Sequence, residues 1–186
     1  MTLATLRPLQ LQDAGDVLAA FSSAPDMARQ GDVRDEASAA AYTRWASGVD
    51  SATRAFGIVV VDHVVGCVGI SIDRVNLVGW VWYWMHAEHR GKGLTSRATT
   101  TVANWALGEG GLERLELGHR ANNPASGRVA LAAGFTWEGV ERGKFLIDGE
   151  RLDVRTYGRL HDDPVPTCET LAADTSTWPP LIGEHS

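Results

Sequence analysis

Cysteine is scarce: Cys67 and Cys168 are the two thiols in 186 residues. A multi-bridge framework is excluded, and both thiols are expected to stay reduced. No apolar run approaches the roughly 18 residues that a membrane-spanning helix needs. The opening MTLATLRPLQLQ lacks a basic stretch followed by an apolar one, so a cytoplasmic location is expected. Basic residues are the minority, 17 Lys and Arg against 23 Asp and Glu, a formal net charge of −6. That balance leaves no general electrostatic case for nucleic acid or an anionic membrane as partner, and favours a cationic ligand if any. No internal repeat is visible.

What remains is ordinary globular material, 44% hydrophobic and 22% charged. A chain of this length is one domain, perhaps extended, and buries about two-thirds of its unfolded surface without a staple. Leu3 to Arg7 alternates and is closed by Pro8, which predicts a first strand. Asp13 is placed to cap a short helix with Val17, Leu18 and Phe21 on one face. Ser22 to Asp35 mixes Pro, Gly and charge and is expected to be a loop. A second helix over Glu36 to Ser47 would pack through Ala40, Tyr42, Trp45 and Ala46.

The period then changes. Phe56 to Asp62, Val64 to Ile72 and Leu77 to Met85 are β-branched or aromatic runs with short connections, the pattern of an antiparallel meander turning at Asp62-His63. In the third run Trp80, Trp82 and Trp84 share one face and Tyr83 takes the other. A helix is expected over Leu94 to Leu107, stopped by Gly108, Gly110 and Gly111. Arg114 to His119 alternates as a strand. Asn123-Pro124 opens a short helix that ends near Gly134. Phe135 to Phe145 and Arg151 to Leu160 flank Asp148-Gly149, a hairpin signal. From His161 the composition shifts: four of the seven prolines and no Lys or Arg. The expected organisation is therefore a domain over residues 1–160 and a tail over 161–186, anchored by Trp178, Leu181 and Ile182 on the body or a partner subunit.

The stretch that carries chemistry is Met85-His86-Ala87-Glu88-His89-Arg90-Gly91-Lys92-Gly93-Leu94-Thr95. Glycines at 91 and 93 strip side chains from the backbone where a strand turns into a helix. Free N–H groups then converge at the positive end of the helix dipole, a phosphate-binding arrangement. Arg90 and Lys92 add charge there. The alternative is a plain Gly-rich turn. The Walker A pattern is absent, and Ser96 stands where a dinucleotide fingerprint needs its last glycine.

R-G-x-G at a helix start, after a meander and before a strand–helix–hairpin unit, resembles the acetyl-CoA loop of the GCN5-related N-acetyltransferases (GNAT). Residues Arg120 to Leu160, with N-x-x-S, Gly-Phe, Glu-Gly and the D-G hairpin, resemble the RimJ/RimL branch. The resemblance implies a mixed α/β fold, a largely antiparallel central sheet with helices on both faces. It implies acetyl-CoA as cosubstrate and direct acetyl transfer to a primary amine: a protein N-terminus, a small metabolite or an antibiotic. A homodimer is a further implication. Pantetheine would pair with backbone near Trp84, Met85 and His86, and the pyrophosphate would sit on Arg90 to Thr95, Leu94 included. Thr95 stands where the family usually has Ala or Gly, and Ala87 where it often has Pro.

Three residues compete to move protons. By resemblance Ser126 lies near the thioester sulfur as a donor; a third-position helix hydroxyl is the alternative. Asn123, by resemblance a cofactor contact, is also a good N-cap. Glu138 matches a proposed base acting through water, or is a solvated strand residue. His119 stands where the branch often has Cys; its imidazole suits base work near neutral pH, or it is a packed core histidine. His86 and His89 find no third ligand at metal spacing, so no metal is expected. Ser22 to Asp35 and the Phe145 to Arg151 hairpin should form the acceptor site. Asp26, Asp32 and Asp35 favour a cation there, against Arg29 and Arg34. A non-catalytic acyl-CoA sensor and a partner-binding module are the rival functions.

Overall fold

The protein is described by a computed structural model covering residues 3–49, 51–147 and 149–182. Strand β1 (Ala4–Pro8) leads through a short 3₁₀ turn into helix α1 (Ala14–Ser22). A second 3₁₀ turn, Pro25–Arg29, lies within the expected loop, and α2 (Glu36–Ala46) follows. The meander is β2 (Thr53–Val60), β3 (His63–Asp73) and β4 (Val78–Met85). Then come α3 (Leu94–Leu107), β5 (Arg114–Arg120), α4 (Pro124–Ala132), β6 (Thr136–Ile147) and β7 (Glu150–Leu160).

The seven strands form one sheet in the order β1-β2-β3-β4-β5-β7-β6. Among the described residues the strands pair antiparallel except β4 with β5. A parallel neighbour needs a crossover, and α3 supplies it. Alternation in the strands feeds two cores. Ile58, Ile70, Val81, Leu115 and Leu117 pack against Ala98, Val102 and Ala106 of α3. On the other face Cys67 and Trp84 pack with Val17 and Phe21 of α1 and Ala39 of α2.

Several local expectations are corrected. Asp13 does not cap α1. Its buried carboxylate is bidentate to Arg7, both contacts 2.8 Å, and accepts the Gln10 amide. An ion pair with the strand residue Arg7 wins over a cap because Asp13 is buried, and a buried carboxylate is costly without a charged partner. The β2–β3 turn is Val61-Asp62, both left-handed at φ 48° and 66°, not Asp62-His63. Two left-handed residues match the twist of a two-residue hairpin. Helix α2 buries Ala39, Thr43 and Ala46, while Ala40 and Trp45 are exposed. The β6–β7 turn signal includes Asp148, which lies outside the described residues.

Residues beyond Leu160 run back over the body. Leu171, Trp178 and Leu181 are buried. The Trp178 ring lies 4.1 Å from Phe56 and 5.0 Å from Trp105, centroid to centroid. Backbone bonds hold the segment at both ends: Leu6 N–H donates to Ala172 at 2.9 Å, and Leu181 N–H to Gly110 at 3.1 Å.

Candidate functional site

The β4–β5 ladder is short. Val78, Gly79 and Trp80 pair with Arg114, Leu115 and Glu116, and no later pair follows. Beyond Trp80 the two strands part, and the β5-facing edge of β4 has no ladder partner. Which amides face the gap follows from the other edge. His86 N–H donates to Val65 at 2.8 Å, and antiparallel ladders alternate every residue. The amides of His86 and Trp84 therefore point toward β3, while those of Tyr83 and Met85 point into the gap. The expected backbone contacts at Trp84 to His86 thus narrow to Met85, and Tyr83 joins it.

A cleft of about 450 Å³ occupies this gap. Its floor includes Tyr83, Trp84 and Met85; one wall is Arg90 to Ser96, and the other is Asn123, Ser126, Arg128 and Val129 of α4. Asp26, Met27 and Gln30 close its rim. Of the residues singled out for acetyl-CoA, His86 alone is outside the lining. Its ring turns away and accepts the Glu88 amide.

The loop wall has the geometry an anion needs. Gly91 and Gly93 are left-handed, φ 75° and 73°, which places their amides where an L side chain would be strained. A Cβ on either would meet nothing within 4 Å, so the glycines serve backbone direction and not packing. Helix α3 starts with no side-chain cap. Its first amides are left to a ligand or water, at the positive end of 14 residues of aligned dipoles. Arg90 does not add its charge as expected. Its guanidinium donates to the Met85 carbonyl at 3.1 Å and to both Asp26 oxygens at 3.2 and 3.0 Å. Lys92 stays exposed at the corner.

Helix α4 presents Ser126 to the cleft. Asn123 accepts its amide at 3.3 Å and donates to its hydroxyl at 3.2 Å, and the Tyr83 hydroxyl donates to its carbonyl at 3.2 Å. Asn123 is thus both a helix cap and a cleft residue. Burial, chiefly, pushes the Tyr83 hydroxyl up to about 12, so it stays a donor at neutral pH. His89 also lines the cleft; burial and then Lys92 lower its pKa, which keeps the imidazole neutral.

Two expected residues are elsewhere. His119 is buried beneath α4, stacked on Tyr157 at 5.4 Å. Its Nδ1 lies 2.8 Å from the Arg120 carbonyl, which can only accept, so Nδ1 carries the proton. Nε2 then accepts from the Tyr157 hydroxyl at 3.3 Å, away from the cleft lining. Gly127 permits this layer: a Cβ there would come within 3.0 Å of Nε2. Glu138 is held bidentate by Arg114, at 2.9 and 2.5 Å, where β5 begins. The gap opens at the other end of β5, so this carboxylate cannot face the cleft. Arg114 also holds it below the usual carboxylate range. No group of three or more potential metal ligands occurs among the described residues. None of the described residues of the Phe145 to Arg151 hairpin is in the lining.

The Acetyltransferase (GNAT) domain family matches residues 4–136. The chain belongs to the GNAT acetyltransferase family. It is 32% identical over 103 residues to the ribosomal-protein-serine acetyltransferase of Escherichia coli (strain K12), 54% of this chain and 57% of that protein. To the probable N-acetyltransferase YjcK of Bacillus subtilis (strain 168) it is 33% identical over 104 residues, 55% and 58% of the two chains. The matched stretch thus spans little more than half the length of these relatives. Among solved structures, the apo ribosomal L7/L12 α-N-protein acetyltransferase RimL superposes with a TM-score of 0.74 at 18% identity, covering 86% of this chain and 91% of that one. The microcin C7 self-immunity acetyltransferase MccE, solved with acetyl-CoA and AMP, superposes at 0.71 with 22% identity, covering 85% and 92%. At these identities the superpositions establish the shared GNAT fold, seven strands in a mixed sheet between helices.

Proposed function

We propose that this GNAT protein transfers the acetyl group of acetyl-CoA to a primary amine by direct attack within a ternary complex. The observation that carries the reading is the continuity of unpaired backbone donors, from the uncapped start of α3 and its two left-handed glycines to the Tyr83 and Met85 amides in the β4–β5 gap. Such a line suits a diphosphate at one end and an amide-bearing arm ending in a thioester at the other. Acetyl-CoA supplies an activated acyl group with a thiolate leaving group.

The chain's residues would share the work as follows. Amides of Gly91 to Thr95, Leu94 among them, hold the diphosphate, with Lys92 beside them. The Met85 amide donates to the acetyl oxygen as negative charge develops there. The neutral amine nitrogen forms its bond to the acyl carbon as the carbon–sulfur bond breaks; Ser126 Oγ gives its proton to the departing sulfur and regains one, through water, from the proton that the new amide nitrogen sheds. Asn123 and Tyr83 fix Ser126. His119 is assigned a packing role under α4. Glu138 takes no part, and the ammonium proton leaves through water at the open rim. Cytoplasmic location and a homodimer complete the proposal. Apolar Trp137, Phe145 and Leu146, exposed on edge strand β6, support the second.

Calorimetry with acetyl-CoA tests the cofactor half, and thiol release across an amine panel tests the transfer. Binding to the native chain, lost in Gly93→Asp, is the expected pair of results. Absence of heat with native protein, or thiol release with no amine in the panel, overturns the reading.

A further inference from the structure

The first half of α3 is a weak helix in its own right. Four of its first eight residues are threonine (Thr95, Thr99, Thr100 and Thr101), and its start has no side-chain cap. Such β-branched residues lose rotamer freedom in a helix. The Thr100 and Thr101 hydroxyls bond back to the Ser96 and Arg97 carbonyls at 2.9 and 3.0 Å, which loosens a helix slightly further. Yet the first turn, Leu94 to Ser96, lines the cleft. Most helical stability in a protein comes from tertiary packing, so the support has to come from outside the helix.

It comes from the segment after Leu160. Six consecutive residues, Ala98 to Ala103, are buried, where a helix lying on a sheet ordinarily buries one stripe. Ala98 and Val102 pack on the sheet, α4 covers a second flank, and Leu171, itself buried, covers a third. The Thr101 hydroxyl gives its one proton to the Arg97 carbonyl, and its oxygen accepts the Leu171 amide at 2.9 Å. The Arg97 guanidinium donates to the Thr170 carbonyl at 3.1 Å. Ala172, the next residue, is fixed to the sheet: its carbonyl accepts the Leu6 amide, and it bridges Thr5 in parallel. Residues 170–172 thus tie Arg97 and Thr101 of α3 to edge strand β1. None of the three lines the cleft.

We propose that residues 170–172 are a strap that holds the start of α3 in the conformation acetyl-CoA requires, which makes Thr101 a positioning residue for a ligand it does not touch. This rests on the acetyl-transfer reading and extends its site beyond the cleft. The end of a helix opens more readily than its middle. With the strap weakened, a smaller fraction of molecules offers the converged amides, and the apparent dissociation constant rises in proportion. The coupling is reciprocal, so acetyl-CoA on those amides must tighten the strap in turn. The Trp178 end of the segment packs on the far half of α3, against Trp105, and serves stability without this coupling.

Calorimetry with acetyl-CoA reads the coupling. Thr101→Val keeps the shape of the side chain but removes the acceptor, and should weaken acetyl-CoA about tenfold. Thr101→Ser keeps the acceptor and should bind within about twofold of the native chain. Trp178→Ala, the larger loss of stability, should also stay within about twofold, which separates positioning from stability in general. Hydrogen exchange on the native chain needs no variant and decides the matter if Thr101→Val does not fold. There the Leu171 amide should exchange faster than that of core Val102, by local opening, and saturating acetyl-CoA should slow it about tenfold. Unchanged affinity in folded Thr101→Val, a comparable loss in Thr101→Ser or Trp178→Ala, or Leu171 exchange indifferent to acetyl-CoA overturns the inference. No heat from acetyl-CoA with the native chain is a different failure, that of the acetyl-transfer reading itself.

Discussion

Ser126 and Glu138 show how two residues of similar promise separate once their partners are known. Ser126 is buried at the cleft wall with its amide, hydroxyl and carbonyl all bonded, so its side chain has one orientation. Ser126→Ala should lower kcat by about 10²- to 10⁴-fold, the range of a positioned proton donor, while acetyl-CoA affinity changes little. Steady-state kinetics beside calorimetry check this, and an unchanged kcat leaves the hydroxyl a capping-turn group. Glu138→Gln should leave the pH–rate profile as it is. Its effect belongs to stability instead. Arg114 depresses the Glu138 pKa in the fold, so the contribution is complete above the ordinary carboxylate range, about 4.3, and disappears as pH falls through the lower folded value. Both partners are partly exposed, which limits the loss at neutral pH to about 1 kcal/mol or less. Urea melts at neutral and acid pH should show the difference between native and variant closing in acid.

Elements differ in how openly the sequence declares them. Helix α3 has the bounds expected from its pattern, Leu94 to Leu107, because a glycine turn precedes it and three glycines follow. Helix α2 is declared by its cap but not by its inner face. In EASAAAYTRWA small residues crowd several faces, and only docking on the sheet selects Ala39, Thr43 and Ala46. The segment after Leu160 is opaque for a related reason. Its prolines and polar residues read as loose chain, yet Trp178 fills a site made by Phe56 on β2 and Trp105 on α3, which no local pattern encodes. Trp178→Ala should cost about 3–5 kcal/mol, the usual range for a buried aromatic cut to a methyl group. Denaturant unfolding measures it, and a loss below about 1 kcal/mol would mean the segment is not part of the core.

At the scale of the whole molecule, the sheet is two antiparallel blocks joined by three parallel residue pairs and then parted. The cleft is the consequence, and ligand there bridges α3, β4 and α4 at once. Acetyl-CoA at about 100 times its dissociation constant should therefore stabilise the fold by about 2.7 kcal/mol. For a chain of this size that is a rise in Tm of roughly 5–10 °C, read by scanning calorimetry. Gly93→Asp should melt without this increment.

The division of labour between sequence and fold is physical. Hydrophobic period, turn glycines and helix signals are local quantities, so strand and helix order, the GNAT-like architecture and the Gly91–Gly93 loop could be read from residues close together in the chain. Pairing is not local. Whether an arginine faces a phosphate or an aspartate 64 positions away depends on which strands part and which turn covers the gap. The tertiary structure therefore decided that Arg90 holds Asp26, that Glu138 holds Arg114, and that His119 is sealed beneath α4. Electrostatics acts through space, and a sequence orders its charges only along the chain.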